Sequence, residues 1–329
     1  MSSNVKKAKI AVITSPQVGK PDLGVLENAA EIVYSTNVGL KSALDGARAV
    51  FLWDVGMIDE LKLHWTWLNA AEWMHVAVVG VDDICFNKLK ESPIVLTNAG
   101  GIYDLAIAEY VVGAVIAYER NYQRLLKQKA QHAWKPFISS GVAGKNALII
   151  GPGRIGRACA RALSALGMHV RGIGRHTTDT DPDFERIDSF EDLEGRIGWA
   201  HHIIITAPLT PETHHMINAD ILGFCRPSSH LVNVGRGPIV YTPGLCNALQ
   251  QGLIGGATLD VFETEPLDDL SPLWNMSNVM ITPHIAGEVD GFEGALIDQF
   301  VRNATHWLRG ESLECVVDKT LGYEKKRVV

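Results

Sequence analysis

The sequence predicts an α/β fold in which a doubly wound parallel sheet is joined to a second, smaller domain. Short apolar runs alternate with segments of helical periodicity along most of the 329 residues, which is the pattern of parallel α/β architecture. A glycine-rich turn at residues 151–156 follows an apolar run and opens an amphipathic segment, as the first strand and helix of a doubly wound sheet do. A chain of this length can form two domains with separate cores.

The first hundred residues contain apolar runs that we expect to form strands, several of which end in small or polar residues. These runs are KIAVIT, IVYS, AVFLW, WMHVAVVG and IVLTN, at residues 9–14, 32–35, 49–53, 73–80 and 94–98. Segments of helical periodicity separate them, so we expect parallel strands with crossover helices. Residues 1–101 are therefore predicted to form one domain.

The strand pattern restarts at residue 147 with longer units. The predicted strands are ALIIG, VRGIG, HIIITAP, HLVNVG, GATLDVF and NVMITPH, with helices at 154–166 and 242–251 between them. Six strands, the first of which precedes the glycine-rich turn, fit a doubly wound dinucleotide-binding domain, predicted to span 102–288 and to open with a helix near Tyr103. After residue 288 we predict a helix and no seventh strand. We infer that this helix packs on the first domain, which would then comprise 1–101 and 289–329.

The composition excludes several classes of function. The net charge is −7, so the chain has no basic field that would attract nucleic acid or an anionic membrane surface. Five cysteines without a C-x-x-C pair argue against a disulfide framework or a zinc site and favour a reducing compartment. The apolar stretch LAIAEYVVGAVIAYER contains Glu109 and is too short to span a bilayer, so we expect a buried helix. We predict no signal peptide, no metal and a cytoplasmic protein.

The glycine-rich turn has the spacing of a dinucleotide fingerprint. Gly151 and Gly153 permit a tight turn in which backbone N–H groups approach a pyrophosphate, and Gly156 lets the helix lie close to the strand. Arg154 and Ile155 open that helix, whose N-terminus favours phosphate. G-x-G-x-x-G alone is a weak signal. Its place between an apolar run and an amphipathic helix favours dinucleotide binding over a simple turn.

The second strand of this domain lacks the acid that usually binds the ribose hydroxyls of NAD. Gly174 stands at that place, eighteen residues after Gly156, and is followed by Arg175, His176 and Thr177. An arginine at this position matches the geometry of a phosphate. The segment therefore predicts NADP (NADPH) as the cofactor, with NAD possible. A solvated basic loop without a ligand is the alternative.

Ionisable residues follow the later strands, where an open α/β sheet places its ligand. Arg236 follows HLVNVG, Asp260 and Glu265 lie in GATLDVFETEP, and His284 follows NVMITP. A cation that holds a carboxylate and an acid that protonates an alkoxide are the groups needed beside a hydride donor, and a carboxylate nearby would keep the histidine protonated. Taken singly, Arg236 could be a surface residue and Glu265 a loop charge. Together they predict a catalytic set of Arg236, Glu265 and His284.

Five motifs identify a family. GPGRIGR, APLTPETHHMIN, LVNVGRGPIV, LDVFETEPL and ITPHIAG resemble, in order and spacing, those of the D-isomer-specific 2-hydroxyacid dehydrogenase family. The resemblance implies a flavodoxin-like, discontinuous substrate domain and a homodimer formed through the cofactor domains. The chain looks most similar to the glyoxylate/hydroxypyruvate reductase branch, which favours NADPH. It departs from the family pattern at Pro152, where an apolar residue is usual, and at Gly235, where alanine is common.

The resemblance also implies roles for individual residues. Arg236 would bind the substrate carboxylate and carbonyl, Glu265 would pair with the histidine, and His284 would be the acid/base. Asp260 would face the nicotinamide carboxamide. The adenosine side would be lined by Thr206, Ala207 and Pro208, and the cofactor-binding set would be completed by Val234, Gly235 and Arg236. The substrate loop would be Val79, Gly80 and Val81, with Trp53 as a wall of the substrate pocket; a plain core position is the alternative for Trp53.

The predicted function is NADPH-dependent reduction of small 2-oxo acids, of the glyoxylate or hydroxypyruvate type, to D-2-hydroxy acids by hydride transfer. One alternative is an NAD-dependent 2-hydroxyacid dehydrogenase with a different substrate. Another is a non-catalytic protein that senses the nucleotide, since some relatives with this fold, the C-terminal-binding-protein corepressors, recruit partners. The expected partners are a small 2-oxo or 2-hydroxy acid and a second copy of the chain, without nucleic acid or membrane.

Overall fold

The computed structural model describes residues 7–324, and the chain divides into two compact units. Unit 1 contains the chain up to Ile102 and again from Asp290, and unit 2 is Tyr103–Val289. Each unit is built around its own parallel sheet. The assignment of substrate binding to residues 1–101 and 289–329, and of cofactor binding to 102–288, stays a prediction.

Unit 1 contains a parallel sheet of five strands in the order β2-β1-β3-β4-β5. The strands are β1 (Ala8–Ile13), β2 (Ala30–Ser35), β3 (Ala49–Leu52), β4 (Trp73–Val76) and β5 (Val95–Thr97). The helices are α1 (Leu40–Leu44), α2 (Ile58–Leu63), α3 (Asn87–Glu91) and α10 (Phe292–Leu308). This strand order is that of flavodoxin-like sheets, as predicted.

The last helix of the chain, α10, belongs to the core of unit 1. The ring of Phe300 is fully buried and stacks on that of Phe51 in β3, with ring centroids 3.9 Å apart. It also stacks on Trp73 of β4, at 5.4 Å between centroids. Aromatic side chains bury a large apolar area and dominate core energetics. Helix α10 therefore packs on the sheet of unit 1.

Unit 2 contains a parallel sheet of seven strands in the order β12-β11-β10-β9-β6-β7-β8. The strands are β6 (Asn146–Ile150), β7 (His169–Gly174), β8 (Ile187–Ser189), β9 (His202–Ile205), β10 (His230–Asn233), β11 (Gly256–Leu259) and β12 (Val279–Ile281). The helices are α4 (Asp104–Glu119), α5 (Tyr122–Ala130), α6 (Arg154–Ala165), α7 (Leu193–Ile197), α8 (Ala219–Gly223) and α9 (Thr242–Gln250). The order reverses at β6, which confirms the predicted doubly wound sheet.

The structure corrects two expectations about strands. The sequence predicts six strands in the second sheet, whereas the structure has seven. The missed strand, β8, has only three residues and a single apolar side chain, that of Ile187, so it produces no pattern in the sequence. After residue 288 a short antiparallel pair, β13 (Val317–Asp318) and β14 (Tyr323–Glu324), follows α10, where no strand was predicted.

Helix α4 is buried along one side only, which corrects the expectation of a buried helix. Leu105, Glu109 and Gly113 are exposed at a spacing of four residues, while Val111 and Val115 are fully buried. None of the helices described between residues 7 and 324 is long and apolar enough to cross a membrane.

Two histidines at the amino ends of neighbouring strands are core residues. His202 of β9 and His230 of β10 are buried, and their Nδ1 atoms lie 3.3 Å apart. Glu119 of α4 accepts a hydrogen bond from Lys145, and its carboxylate lies 3.1 Å from Nε2 of His202. Burial alone would raise the pKa of Glu119, but these two partners outweigh burial and lower it to about 2. A buried polar network therefore lies at the amino edge of the sheet.

Replacement of Phe300 by alanine tests the role of α10. Because Phe300 is fully buried between aromatic rings, Phe300→Ala should reduce the free energy of unfolding by about 3–5 kcal/mol. Urea denaturation followed by far-UV circular dichroism measures this loss. Phe224→Ala is the matched control, since Phe224 is 48% exposed and its loss should cost much less. Equal losses for the two variants would contradict the proposed packing.

Candidate active site

The carboxyl ends of the strands of unit 2 carry most of the predicted site. Because all seven strands are parallel, the residues that follow them lie along one edge of the sheet. In sheet order from β12 to β7, the residues at or directly after these ends are Thr282, Asp260, Val234, Thr206, Gly151 and Gly174. The structure therefore brings the glycine-rich turn to the same edge as the segments that carry the predicted catalytic set.

The glycine-rich turn between β6 and α6 is held by close backbone contacts. Gly151 has φ +100°, and a Cβ on it would lie 2.5 Å from the backbone N of Ala207. A Cβ on Gly156 would lie 2.2 Å from the carbonyl oxygen of Gly151. A Cβ on Gly153, in contrast, would have nothing within 4 Å, so open space lies in front of the N-terminus of α6. This is the cradle that a pyrophosphate needs.

Residues 206–208 and 234–235 pack beside this turn. The hydroxyl of Thr206 donates to the carbonyl oxygen of Gly151 at 2.8 Å, while Ala207 is buried and Pro208 is exposed. Val234 donates its backbone N–H to Ile205. A Cβ on Gly235 would lie 2.8 Å from the carbonyl oxygen of Ala207. Glycine in place of the family's common alanine therefore suits this close spacing.

The segment after β7 contains the residues predicted to bind a 2′-phosphate. The Arg175 guanidinium donates from two nitrogens to one carboxylate oxygen of Glu212, at 2.9 and 2.7 Å, and His176 and Thr177 are exposed. Sequence reasoning missed this ion pair. It also missed Arg157 of α6, which makes hydrogen bonds of 2.7 Å to both carboxylate oxygens of Asp181 and so ties the segment to the helix of the glycine-rich turn.

Glu265 and His284 form a hydrogen-bonded pair. Nδ1 of His284 lies 2.7 Å from Oε2 of Glu265, and Oε1 of Glu265 accepts the backbone N–H of Phe262 at 2.9 Å. An ionised carboxylate can only accept, so Nδ1 of His284 carries a hydrogen. The Nε2 atom of the imidazole is then the one that can exchange a proton with a substrate.

Charges around the pair shift both pKa values. The hydrogen bond to Glu265 raises the pKa of His284 above its ordinary value, against burial and the charge of Arg236, which lower it. Burial alone would raise the pKa of Glu265, but the hydrogen bonds from His284 and Phe262 outweigh it and lower it. The pair thus stabilises the fold most between the ordinary pKa values of glutamate and histidine. That stabilisation is lost as the pH falls through the lowered pKa or rises through the raised one.

Local backbone geometry places Arg236 and Glu265 near each other. A Cβ on Gly237 would lie 1.8 Å from the carbonyl carbon of Phe262, so only glycine permits this approach. Arg236, directly before it, has extended backbone and donates to the carbonyl oxygen of Gly235 at 2.8 Å. The G-R-G sequence therefore packs the arginine segment against the loop of Glu265.

Asp260 holds the segment that carries His284. One oxygen of its buried carboxylate accepts from the hydroxyl of Thr282 at 2.5 Å and from the N–H of Ile285 at 2.9 Å, and the other accepts from the N–H of Ala286 at 2.9 Å. Because the Thr282 hydroxyl donates to the carboxylate, Tyr110 of α4 must be the donor in its 2.6 Å contact with that hydroxyl. Thr282 and Tyr110 were missed, although Thr282 lies only two residues before His284. The nicotinamide role of Asp260 stays a prediction.

The predicted substrate residues of unit 1 lie at the carboxyl ends of two neighbouring strands, β3 and β4. Trp53 is 7% exposed, and its indole N–H has no hydrogen-bond partner in the described part of the chain. The backbone N–H groups of Val79, Gly80 and Val81 likewise donate to no other atom of residues 7–324. The carbonyl of Val79 is held by the side chain of Asn98 at 2.7 Å. Three consecutive free N–H groups are suited to a carboxylate.

Across residues 7–324, no three His, Cys, Asp or Glu side chains group in a way that could hold a metal ion. The arrangement at the edge of unit 2 instead supports proton transfer by an imidazole beside a guanidinium.

Removal of the Glu265 carboxylate should lower the pKa of His284. In Glu265→Gln, burial and the charge of Arg236 remain and both lower that pKa, so the imidazole should titrate at lower pH than in the wild type. NMR of the ¹³C-histidine-labelled protein measures the titration. Glu263→Gln is the matched control, since Glu263 contacts His215 at 2.6 Å and should leave the His284 titration unchanged. An unshifted titration in Glu265→Gln would show that the pair does not set this pKa.

Comparison with known proteins identifies the family. Residues 112–286 match the D-isomer specific 2-hydroxyacid dehydrogenase, NAD binding domain. A glyoxylate reductase from Thermofilum pendens (strain DSM 2475 / Hrk 5) is 32% identical over 248 residues, which are 73% of each chain. The solved structure of a D-isomer specific 2-hydroxyacid dehydrogenase family protein from Aeromonas salmonicida subsp. salmonicida A449 has a TM-score of 0.82 at 27% identity, covering 95% of this chain and 100% of that one. A D-isomer specific 2-hydroxyacid dehydrogenase from Xanthobacter autotrophicus Py2, solved in complex with NADPH and MES, has a TM-score of 0.80 at 26% identity, covering 96% and 100%. The chain belongs to the D-isomer specific 2-hydroxyacid dehydrogenase family.

Proposed function

We propose that this protein is an NADPH-dependent reductase of small 2-oxo acids, of the glyoxylate or hydroxypyruvate type, that forms D-2-hydroxy acids. The observation that carries the proposal is the 2.7 Å pair of His284 and Glu265, with Arg236 close enough to influence the pKa of both. This set lies at the edge of the sheet that carries the glycine-rich turn. The glyoxylate reductase of Thermofilum pendens supports the choice of substrate class.

His284 is the proton donor in the proposed reaction. Bound NADPH would supply the hydride that adds to the carbonyl carbon of the 2-oxo acid. The proton on Nε2 of His284 passes to the carbonyl oxygen, so that the C=O bond becomes a C–O single bond while one C–H and one O–H bond form. Arg236 binds the carboxylate and polarises the carbonyl, and Glu265 stabilises the imidazolium before the transfer. In unit 1, we propose that the N–H groups of residues 79–81 bind a carboxylate.

The preference for NADPH rests on the segment after β7. No carboxylate stands at Gly174, and the guanidinium of Arg175 directly follows it. Arginine binds phosphate in a bidentate manner, which fits a ribose 2′-phosphate. The relative from Xanthobacter autotrophicus Py2 was solved with NADPH.

An NAD-dependent dehydrogenase with a different substrate is the second candidate. The ion pair of Arg175 with Glu212 favours it, because a 2′-phosphate would compete with that carboxylate for the same guanidinium. Both groups are partly exposed, with 29% and 61% of the side chains accessible, so solvent weakens their attraction. A phosphate with two negative charges should therefore displace Glu212.

The oligomeric state and the location in the cell stay predictions. The large apolar side chains of Leu126, Trp134 and Ile138 in unit 2 are 64%, 95% and 100% exposed. Apolar side chains exposed to this degree are typical of a surface that binds another chain. They support the homodimer, whereas the cytoplasmic location rests on the composition alone.

Replacement of His284 should abolish turnover and spare cofactor binding. Because His284 provides the proton, His284→Ala should reduce kcat with hydroxypyruvate about 10²–10⁴-fold, while the Kd for NADPH from fluorescence titration stays nearly unchanged. His215→Ala removes another imidazole that is paired with a glutamate and should keep most of the turnover. An equal loss of NADPH binding in His284→Ala would reject the assignment as general acid.

Initial rates with NADPH and NADH, each against hydroxypyruvate and glyoxylate, test the cofactor and substrate class. We expect kcat/KM to favour NADPH, and Arg175→Ala to reduce that preference about 10–100-fold, as the loss of a charged hydrogen bond would. Arg171→Ala is the matched control, because Arg171 lies on the same strand and packs on Trp199. Turnover with NADH alone would establish the second candidate. Tight binding without turnover would favour the nucleotide-sensing alternative.

A further inference from the structure

Pro152, inside the glycine-rich turn, covers the position where an NAD-binding domain usually has its acid. A Cβ on Gly174 would lie 2.7 Å from Cγ and 2.8 Å from Cδ of Pro152. These distances are far below van der Waals contact, so a side chain at 174 cannot be added without movement. Gly172, two residues earlier on β7, would place its Cβ 3.4 Å from Cβ of the same proline. The proline ring therefore packs against the end of β7.

The backbone of Gly174 itself would accept a side chain. Gly174 is not among the residues with positive φ, so an L-amino acid could adopt its conformation. Of the atoms near the ideal Cβ, only those of Pro152 are closer than 3.8 Å. The exclusion of an acid at this position thus comes from residue 152 and not from the strand.

Pro152 cannot easily move away. Its ring is rigid and fixes its own φ, unlike the far end of a flexible side chain. The preceding Gly151 is held against the backbone of Ala207, and the following Gly153 is the N-cap of α6. Any shift of the ring would therefore displace the turn or the helix.

We propose that Pro152 is a specificity-determining residue. Its ring leaves no room for an aspartate or glutamate side chain at position 174, and the absence of that carboxylate favours a dinucleotide with a 2′-phosphate. This inference rests on the proposed function for its meaning, but its steric basis belongs to the protein alone. It couples two departures from the NAD-binding pattern, Pro152 in the turn and Gly174 at the end of β7. The consequence is that an acid at 174 can act on the ribose hydroxyls only when residue 152 is also changed.

A double-mutant cycle on the protein without cofactor tests the coupling. Gly174→Ala adds only the Cβ and should lower Tm by about 3–10 °C, as overpacking of a core does. In the Pro152→Ala background the same change should lower Tm by less than about 2 °C. Gly195→Ala in α7 is the control, since a Cβ there has nothing within 4 Å and should cause no loss. An equal loss in both backgrounds, or no loss in the wild type, would overturn the inference.

Binding of NADPH and NADH, measured by fluorescence titration, tests the role in specificity. The ratio of the Kd for NADH to the Kd for NADPH should be about 10-fold or more lower in Pro152→Ala/Gly174→Asp than in Pro152→Ala. The reason is that an acid at 174 then reaches the ribose hydroxyls. Gly174→Asp alone should bind both cofactors more weakly. If it instead folds with the wild-type Tm and gains NADH binding, the proline has no such role. If the wild-type protein does not reduce 2-oxo acids but the variants still show the Tm coupling and this Kd shift, the proposed reaction is wrong and the inference about Pro152 is supported.

Discussion

The site of unit 2 depends on the close contact of two backbone segments, residues 150–151 and 206–207. A Cβ on Gly151 would fall 2.5 Å from a backbone atom of Ala207, and the Thr206 hydroxyl bonds to the carbonyl oxygen of Gly151. The contact occurs where the strand order of the sheet reverses, because β6 has β9 on one side and β7 on the other. It fixes where α6 begins, and therefore where the N–H groups of its first turn point. A parallel sheet with this reversal needs glycine there for steric reasons, before any ligand is considered.

A buried carboxylate extends the same edge toward His284. Asp260 would be costly to bury if its charge had no partners, but its oxygens accept from a hydroxyl and two backbone N–H groups of residues 282–286. Those donors bracket His284, whose backbone has φ +56°, a conformation that few non-glycine residues adopt. Hydrogen bonds on both sides of His284 hold this conformation, although the segment follows a strand of only three residues.

The sequence revealed those parts of the molecule that repeat a pattern or meet a steric requirement. Apolar runs located both sheets, and the glycines at 151 and 156 located the turn, because each of these features depends on local chemistry. Strand β8 was missed because one apolar side chain makes no pattern. The pairs of Arg175 with Glu212 and of Arg157 with Asp181 join residues 37 and 24 positions apart, which spacing alone cannot show. Spacing likewise cannot show that Pro152 packs on Gly174, because the two residues are far apart in the sequence.

The charges around His284 oppose one another, and their balance suits the proposed reaction. Glu265 raises the pKa of the imidazole, while Arg236 lowers it. A 2-oxo acid whose carboxylate pairs with Arg236 would offset the positive charge that the imidazolium faces. The protonated form of His284 would then be favoured most when substrate is bound. In the proposed reaction Arg236 would thus have two roles that a neutral hydrogen-bond donor could not combine: it would hold the carboxylate, and it would link substrate binding to the presence of the proton that the reduction consumes.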